Sequence, residues 1–573
     1  MPIKTIKNCT VSDAYLAVLA DRGVDYLFAN AGTDFAPLIE ALAKAQALGT
    51  PHPTPVTCPH ENTAQHMAIG YYLVTGRPQL TMMHVNVGTA NGMNGLLNAQ
   101  RGQIPMLFTA GRTPTNEDGL KGHRSLDIHW TQEMYDQSGM TREAVKWDYE
   151  LRNAEQVETV IDRALSVIMS DPKGPAYLSL PREVLAQEID EFTYTSPGKI
   201  KPAAPYAPNP EALDQAAALL AKAENPVIIT NWGGRNPGVM PALVDLAERY
   251  GIPVVEYRNR FVAMPRHHDM FAGGNPNPYV KEADVILAFD IAVPWLPSQV
   301  RPTEDCQVIQ MATDPHYSFV PIRGFPADIA LACASDIGLR TLAAAMEEPA
   351  KSNQTVIDNR RKKVAEKHQG LEEAWAGKLK DVMDNTPLHP AFISHCLGEI
   401  SDADTIFSKE SQLQVQYLDT SKPTKILNAG ASSGLGHGLG VALGAKLADR
   451  DNLVISTHGD GSYMFNVPVS CHYVAAEQEL PLLTVVFNNQ RWQAVRGSTM
   501  GLYPDGYAAK ANRAPLMHFT VDQHYEKLVE VSGGYGQQVT EPDQMRPALE
   551  RAMKAVQVDK RQALINVSCS DPT

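Results

Sequence analysis

At 573 residues, with 44% apolar and 20% charged positions, the chain is too long for one hydrophobic core and has the make-up of a globular protein of several domains. Its formal net charge of −14 argues against nucleic acid or an anionic membrane surface as a partner, and still leaves room for a local basic pocket. Seven scattered cysteines without a CxxC pair argue against zinc and for reduced thiols in the cytoplasm, and neither a membrane-length apolar run nor a signal-like start (Met1-Pro2-Ile3-Lys4) is present.

In chain order, the first segment repeats strand, glycine-containing loop and helix to about Gln187, the rhythm of a parallel α/β sheet. Asn30-Ala31-Gly32-Thr33-Asp34 is a turn by composition. Pro55-Val56-Thr57 reads as a short strand, from which Cys58-Pro59-His60-Glu61-Asn62 opens a helix through Ala64, Met67, Ala68 and Tyr71. Glu61 thus stands at a helix N-terminus, where the dipole favours a carboxylate whatever its role. The next strand closes on Met83-His84, ahead of the glycine loop Val85 to Met93. A histidine there is either a hydrogen-bonded structural residue or a proton donor and acceptor titrating near neutrality. Strand Ala176 to Leu180 ends the segment, and a connector carrying Pro197, Pro202, Pro205, Pro208 and Pro210 reads as a linker.

The second segment opens with the strand Pro226 to Thr230, turns through Gly233-Gly234, and continues with strands at Val254-Val255 and Val285 to Leu287. A charged helical passage, Asn359 to Lys380, leads to a third segment beginning near Pro387. Its glycine-rich loop, Ser432 to Gly438, lies between the strand Lys425 to Leu427 and a helix over Val441 to Ala445, and its last strand is Ala563 to Val567. The expected fold is α/β, with three doubly wound parallel-sheet domains over residues 1–190, 206–345 and 385–573.

Two clusters in the third segment carry the chemistry. His458-Gly459-Asp460-Gly461-Ser462 follows the apolar run Leu453-Val454-Ile455, and Asn488-Asn489 closes the run Leu482 to Phe487; 26 residues run from Ser462 to Phe487. Both read as loops at the carboxyl ends of parallel strands, where open α/β sheets bind ligands. A carboxylate and a carboxamide on adjoining strand ends can share a hard cation such as Mg²⁺. The glycines let the backbone approach a diphosphate, and a helix after Ser462 would aim its N-terminus at that anion.

This pair resembles the GDG and NN halves of the thiamine diphosphate (ThDP) motif, and the resemblance extends over essentially the whole chain. Ala64-Gln65-His66-Met67-Ala68-Ile69-Gly70-Tyr71 continues Glu61 much as acetolactate synthases continue their catalytic glutamate. The resemblance implies that Glu61 contacts the N1′ nitrogen of the cofactor, and that Gly459, Asp460, Gly461, Ser462 and Asn489 hold its diphosphate end. It further implies that Asp460, Asn489 and the main-chain carbonyl of Arg491 bind Mg²⁺. Leu435 falls on the apolar wedge that bends ThDP, and Glu410-Ser411-Gln412 is similar to a loop whose serine touches the diphosphate.

The stretch from Met83-His84 through Gly88-Thr89-Ala90-Asn91-Gly92 to Leu96-Leu97-Asn98-Ala99 looks like benzoylformate decarboxylase, and His84 falls on its catalytic histidine. Asn30 to Asp34 resembles that enzyme's loop with a substrate-contacting serine, so Thr33 would hydrogen-bond a substrate carboxylate. Two departures stand beside these matches. No histidine occurs in Phe289 to Pro297, where the decarboxylase has a second one, and Trp295 there serves either an apolar pocket or the core. The FAD-holding stretch of acetolactate synthases is also absent, which argues against FAD.

The resemblance therefore implies ThDP- and Mg²⁺-dependent cleavage or formation of carbon–carbon bonds on a 2-oxo acid, as a decarboxylase or carboligase. It also implies a homodimer or homotetramer in which Glu61 and Asp460 reach one cofactor from different subunits. The alternatives are an acetolactate synthase-like enzyme condensing pyruvate and a non-catalytic paralogue. Retention of Glu61, Asp460 and Asn489 opposes the second. A nicotinamide-dependent enzyme is discounted, because no GxGxxG follows the first strand with an acidic residue about twenty positions on.

Overall fold

A computed structural model describes residues 2–571. Contact density divides it into two units: the chain up to Ala203 together with Ser408–Gln412 and Ala429–Asp571, and Ala204–Phe407 together with Leu413–Asn428. No helix among the described residues is long and apolar enough to cross a membrane.

Three parallel sheets form the framework, as the alternation of strand and helix implies. The first contains β1 (Tyr26–Ala29), β2 (Thr54–Thr57), β3 (Leu80–Met83), β4 (Leu107–Arg112), β5 (Asp148–Glu150) and β6 (Ala176–Pro181), in the order β2-β1-β3-β4-β6-β5. The chain steps from β1 to β2 on one side, then returns to lay β3 on the other. β1 and β3 therefore flank a topological switch point, where the loops at the strand ends diverge and leave a crevice. Ala29 pairs with Met82, so the loop carrying Gly32 to Asp34 and the residue His84 leave the sheet side by side.

The second sheet, β7 (Pro226–Thr230), β8 (Val254–Glu256), β9 (Val285–Phe289), β10 (Gln307–Ala312) and β11 (Ile329–Ala332), has the order β8-β7-β9-β10-β11. Trp295 lies in its core at 2% exposure, edge-on to Phe325 with ring centroids 5.3 Å apart, and is a packing residue. The third sheet contains β12 (Ile406–Glu410), β13 (Ile426–Leu427), β14 (Val454–Gly459), β15 (Leu483–Asn488), β16 (Tyr535–Val539) and β17 (Ala563–Ser568), in the order β13-β12-β14-β15-β17-β16. Its switch point falls between β12 and β14, which end at Glu410 and Gly459.

The structure corrects one local expectation. β14 runs on through His458 to Gly459, and the following helix begins at Asp460 rather than after Ser462. Gly459 is extended at φ −71°, ψ 157°, so it ends the strand and caps the helix without an intervening loop. The sequence also gave no sign of the antiparallel ribbon that pairs Ile3–Thr10 with Glu188–Thr195.

Two buried helices position the site. α1 (Glu61–Thr75) follows β2; His60, extended at its N-cap, accepts the Asn62 N–H on Nδ1 at 3.1 Å, and Gly76 at φ 70° ends it. Every residue from Glu61 to Leu73 is buried, so this helix is enclosed on all sides and shows little amphipathic period. α2 (Val85–Asn91) and α3 (Met93–Arg101) follow β3; α4 (Gln354–Val382) is the charged helix of the second unit. α5 (Gly438–Ala448) is buried as thoroughly as α1, and the two cross backbone to backbone. A Cβ on Gly70 would stand 2.1 Å from the Val441 carbonyl oxygen, and one on Gly444 would stand 2.0 Å from that of Met67. Only glycine permits this approach.

Candidate active site

The α1–α5 crossing brings the Glu61 end of the first sheet against the glycine loop of the third. Asn62 donates its side-chain N–H to the Gly436 carbonyl at 2.7 Å. Asn94 and Asn98, one turn apart on α3, donate to the carbonyls of Leu435 (2.9 Å) and Gly434 (3.0 Å). Asn94 also binds Asn62 Oδ1 at 3.0 Å, and Asn98 Oδ1 accepts from the Ser432 hydroxyl at 2.6 Å. Half-buried Leu435 is thereby fixed through its own backbone. Within one chain, the first and third sheets thus pack together through α1 and α5.

Beneath the same loop lies a charge network that sequence reasoning missed. Glu410, at the end of β12, accepts from the backbone N–H of Gly436 at 2.6 Å and of Gly438 at 2.9 Å, and from Asn466 Nδ2 at 2.8 Å. His458 Nδ1 lies 3.4 Å and His437 Nε2 3.7 Å from its carboxylate. Burial alone would push the Glu410 carboxyl up; the His437 charge and the bonds from His458 and Asn466 outweigh it and hold the pKa at about 2. Glu410 thus stays ionised and ties the loop to the strand end. Ser411, next along, is half-buried at the mouth of the switch point.

Asp460 begins α6 (Asp460–Phe465). One carboxylate oxygen accepts the Gly461 N–H at 2.7 Å; the other is buried and has no hydrogen-bond partner. Burial raises its pKa to about 6, against the pull of the backbone N–H groups of Gly461, Gln490 and Arg491. A buried, partnerless carboxylate oxygen is costly unless a cation meets it. Beside it, Gln490 at φ 55° turns the chain between Asn489 and Arg491. Asn489 Nδ2 lies 3.4 Å from Asp571 Oδ1, and Arg491 Nε donates to the Asn489 carbonyl at 3.1 Å. One carboxylate, one carboxamide and main-chain oxygens form a hard-donor set that suits Mg²⁺. No cluster of three His, Cys, Asp or Glu able to hold a metal exists among the described residues, and the expected set would not form one. Protein neighbours require glycine at two of these positions, since a Cβ on Gly461 would meet the Trp492 ring at 2.3 Å and one on Gly436, at φ 86°, the Phe465 carbonyl at 2.1 Å; at Gly459 only the Ser462 hydroxyl stands near, at 3.7 Å, which leaves that backbone open to a ligand. These residues fit a cation-bridged diphosphate.

At the first sheet, Glu61 is 7% exposed and accepts from Asn91 Nδ2 at 3.3 Å. Asn91 ends α2, and His84 immediately precedes that helix, so one short helix links the two. Val85 at φ 36° is a buried β-branched residue in the left-handed region, a strain concentrated beside His84. His84 Nδ1 contacts Asp34 Oδ1 at 2.5 Å and Nε2 lies 3.1 Å from Gln132 Nε2. The Asp34 bond raises the His84 pKa; burial works against it, and the charges of Asp34 and Glu61 add to the rise. Thr33 opens a short 3-10 turn (Thr33–Phe35) and is exposed at the rim. Asp34 and Gln132 carried no sequence signal beyond a turn composition, because their partner lies across the sheet.

Comparison with known proteins agrees with this division. Residues 9–140 match the thiamine pyrophosphate enzyme N-terminal TPP binding domain, 213–320 the central domain and 410–567 the C-terminal TPP binding domain. The acetolactate synthase large subunit of Mycobacterium tuberculosis is 27% identical, with 86% of this chain and 85% of the relative aligned. The benzoylformate decarboxylase of Pseudomonas aeruginosa is 26% identical over 85% of this chain and 87% of its own. Sulfoacetaldehyde acetyltransferase of Rhodobacter capsulatus is 24% identical over 98% and 95%. A solved structure, the Rhodococcus jostii thiamine diphosphate-dependent 4-hydroxybenzoylformate decarboxylase, shares the fold with a TM-score of 0.78 at 22% identity, covering 99% of this chain and all of that one.

Proposed function

The chain belongs to the thiamine pyrophosphate enzyme family, and we propose that it is a ThDP- and Mg²⁺-dependent decarboxylase or carboligase of 2-oxo acids. The observation that carries this reading is His84 at the switch point of the first sheet, joined through α2 to Glu61. Bound ThDP would supply the electron sink that receives the pair released when the carboxylate of a 2-oxo acid leaves. Glu61 would hold a proton at the aminopyrimidine. Leu435, presented on its clamped loop, would shape the cofactor from below. Asp460, Asn489 and the Arg491 carbonyl would bind Mg²⁺, with Gly459, Gly461, Ser462 and Ser411 around the diphosphate. His84 would give and take protons on the substrate side, and Thr33 would hydrogen-bond the substrate carboxylate. FAD has no place in this reading.

A panel of 2-oxo acids (pyruvate, benzoylformate, branched and longer chains) tests it, with CO₂, aldehyde and hydroxyketone all measured. Turnover of several acids to aldehyde and hydroxyketone supports the proposal. Reaction of pyruvate alone, giving acetolactate with bound FAD, replaces it with the synthase reading that the mycobacterial relative suggests. A homodimer or homotetramer in the cytoplasm completes the proposal; seven free, buried thiols suit that compartment. Mixing Glu61→Gln chains with Asp460→Ala chains tests the assembly: recovered turnover assigns the halves of the site to different subunits, and none assigns them to one.

A further inference from the structure

We infer that Asp34 is the positioning residue for His84, holding a proton on Nδ1 so that Nε2 is the nitrogen that exchanges protons with substrate. The inference rests on the proposed role of His84 at the substrate end. Its geometry comes from the strand order, because Ala29 and Met82 are paired and the loops leaving β1 and β3 run side by side. Two glycines clear the space. A Cβ on Gly32 would stand 2.0 Å from His84 Nδ1, although Gly32 sits at φ −131°, ψ −172°, open to any residue. Ring volume alone requires glycine there. On the other side, a Cβ on Gly111 at the end of β4 would stand 1.6 Å from Asp34 Oδ2.

Asp34 is 3% exposed, with Oδ1 on His84 at 2.5 Å and Oδ2 without a hydrogen-bond partner. A carboxylate this enclosed needs a counter-charge at contact distance, and the imidazole is the group in that place. The other titratable groups whose charges bear on the pair are Glu61, which favours the imidazolium, and His129, which opposes it; burial opposes it too, and the balance is upward. Gln132 completes the arrangement. Its Nε2 faces His84 Nε2 at 3.1 Å, as suits a neutral ring, while its Oε1 is buried without a partner. Turning that amide over would offer Oε1 to the Nε2–H of the imidazolium. One side chain thus serves both protonation states. In turnover the imidazolium would give its Nε2 proton to the reacting substrate, keep Nδ1–H on Asp34, and regain the lost proton from solvent.

The test follows carbethoxylation of His84 by diethyl pyrocarbonate on the full-length, cofactor-loaded protein, read by peptide mass spectrometry between about pH 5 and 9. Only the neutral ring reacts. Asp34→Asn should lower the midpoint by about one pH unit. Gly32→Ala, which pushes the ring off the carboxylate without touching it, should shift it in the same direction. In turnover, Asp34→Asn should lower kcat about 10- to 100-fold with KM little changed, and move the pH profile down with the midpoint. Profiles that overlay wild type in both variants would overturn the inference whatever turnover does. A shifted midpoint with normal turnover by His84→Ala would leave the pairing intact while removing both the proposed role of His84 and the positioning role built on it.

Discussion

Substituting Gly444 by alanine should push α1 and α5 apart. The added methyl would lie 2.0 Å from the Met67 carbonyl oxygen, and carbon–oxygen contacts settle at about 3.3 Å, so the helices must separate by roughly 1.3 Å. The bonds from Asn62, Asn94 and Asn98 to the glycine loop, at 2.7, 2.9 and 3.0 Å, would then stretch to about 4 Å and be lost. Three such bonds at about 1 kcal/mol each, less the gain of about 1 kcal/mol from alanine in a helix, leave a net loss of about 2 kcal/mol. The proposed wedge Leu435 would shift relative to Glu61 by about 1 Å, which costs on the order of 100-fold in turnover. Thermal unfolding and a ThDP–Mg²⁺ titration followed by tryptophan fluorescence read both effects, since Trp492 packs against Gly461. Gly377→Ala is the control: it sits inside α4 with nothing near its Cβ, and should raise stability by about 1 kcal/mol. If Gly444→Ala stabilises the protein as Gly377→Ala does and binds cofactor normally, the close crossing is wrong.

Glu410→Gln should lose about 3 kcal/mol at neutral pH, from the fall of its pKa from 4.5 to about 2 on folding. Because the folded value is the lower one, this stability is complete above about pH 4.5 and fades as pH falls towards 2; a melting-temperature gap to wild type that stays constant through that window would refute it. Asp460→Ala should weaken Mg²⁺-dependent ThDP binding by more than about 100-fold in calorimetry, and equal affinity would remove Asp460 from the metal site. Glu61→Gln should still bind ThDP yet fail to exchange the cofactor's C2 proton, with normal exchange by quenched NMR assigning activation to another group. All seven cysteines are free and buried, so Ellman's reagent should find almost no thiol in the native protein and all seven after guanidinium unfolding.

Features that depend on neighbours in the chain were legible in the sequence. Apolar runs leading into Gly459-Asp460 and Asn488-Asn489 marked two parallel strands of the third sheet, and His60-Glu61 marked the helix start after β2. The boundary at Asp460 was missed because Gly459 looks like the first residue of a loop, while its dihedral angles let it end a strand and cap a helix in one step. Residues that act across the fold left no such trace. Asp34 reads as a turn residue until β1 and β3 are known to be neighbours. Asn62, Asn94 and Asn98 acquire partners only when α1 crosses α5. Glu410 precedes the serine singled out in the sequence, and its role comes from three backbone N–H groups and two histidines supplied by later elements. The glycines at the crossing carry no mark either, since an enclosed helix has no polar face against which a contact stripe would stand out.

The two switch points place buried carboxylates with opposite needs, and that difference gives the proposed pocket a direction. At the third sheet, Asp460 keeps an oxygen without a donor and its pKa rises to about 6, so the site favours whatever brings positive charge to it. A divalent cation carrying a diphosphate does so, and it leaves the organic part of the cofactor pointing away. At the first sheet, the Asp34 carboxylate already has its counter-charge in His84, and Glu61 has a neutral donor in Asn91. Neither calls for a metal: in the proposed roles Glu61 would face the cofactor's ring nitrogen, and Asp34 would keep His84 turned so that Nε2 meets the substrate. Reversing the cofactor would set a diphosphate against Glu61 and Asp34, like charges in a buried space, and would leave Asp460 without its cation. Glu410 adds a constraint of its own: ionised beneath the loop at neutral pH, it would repel a second anion placed there.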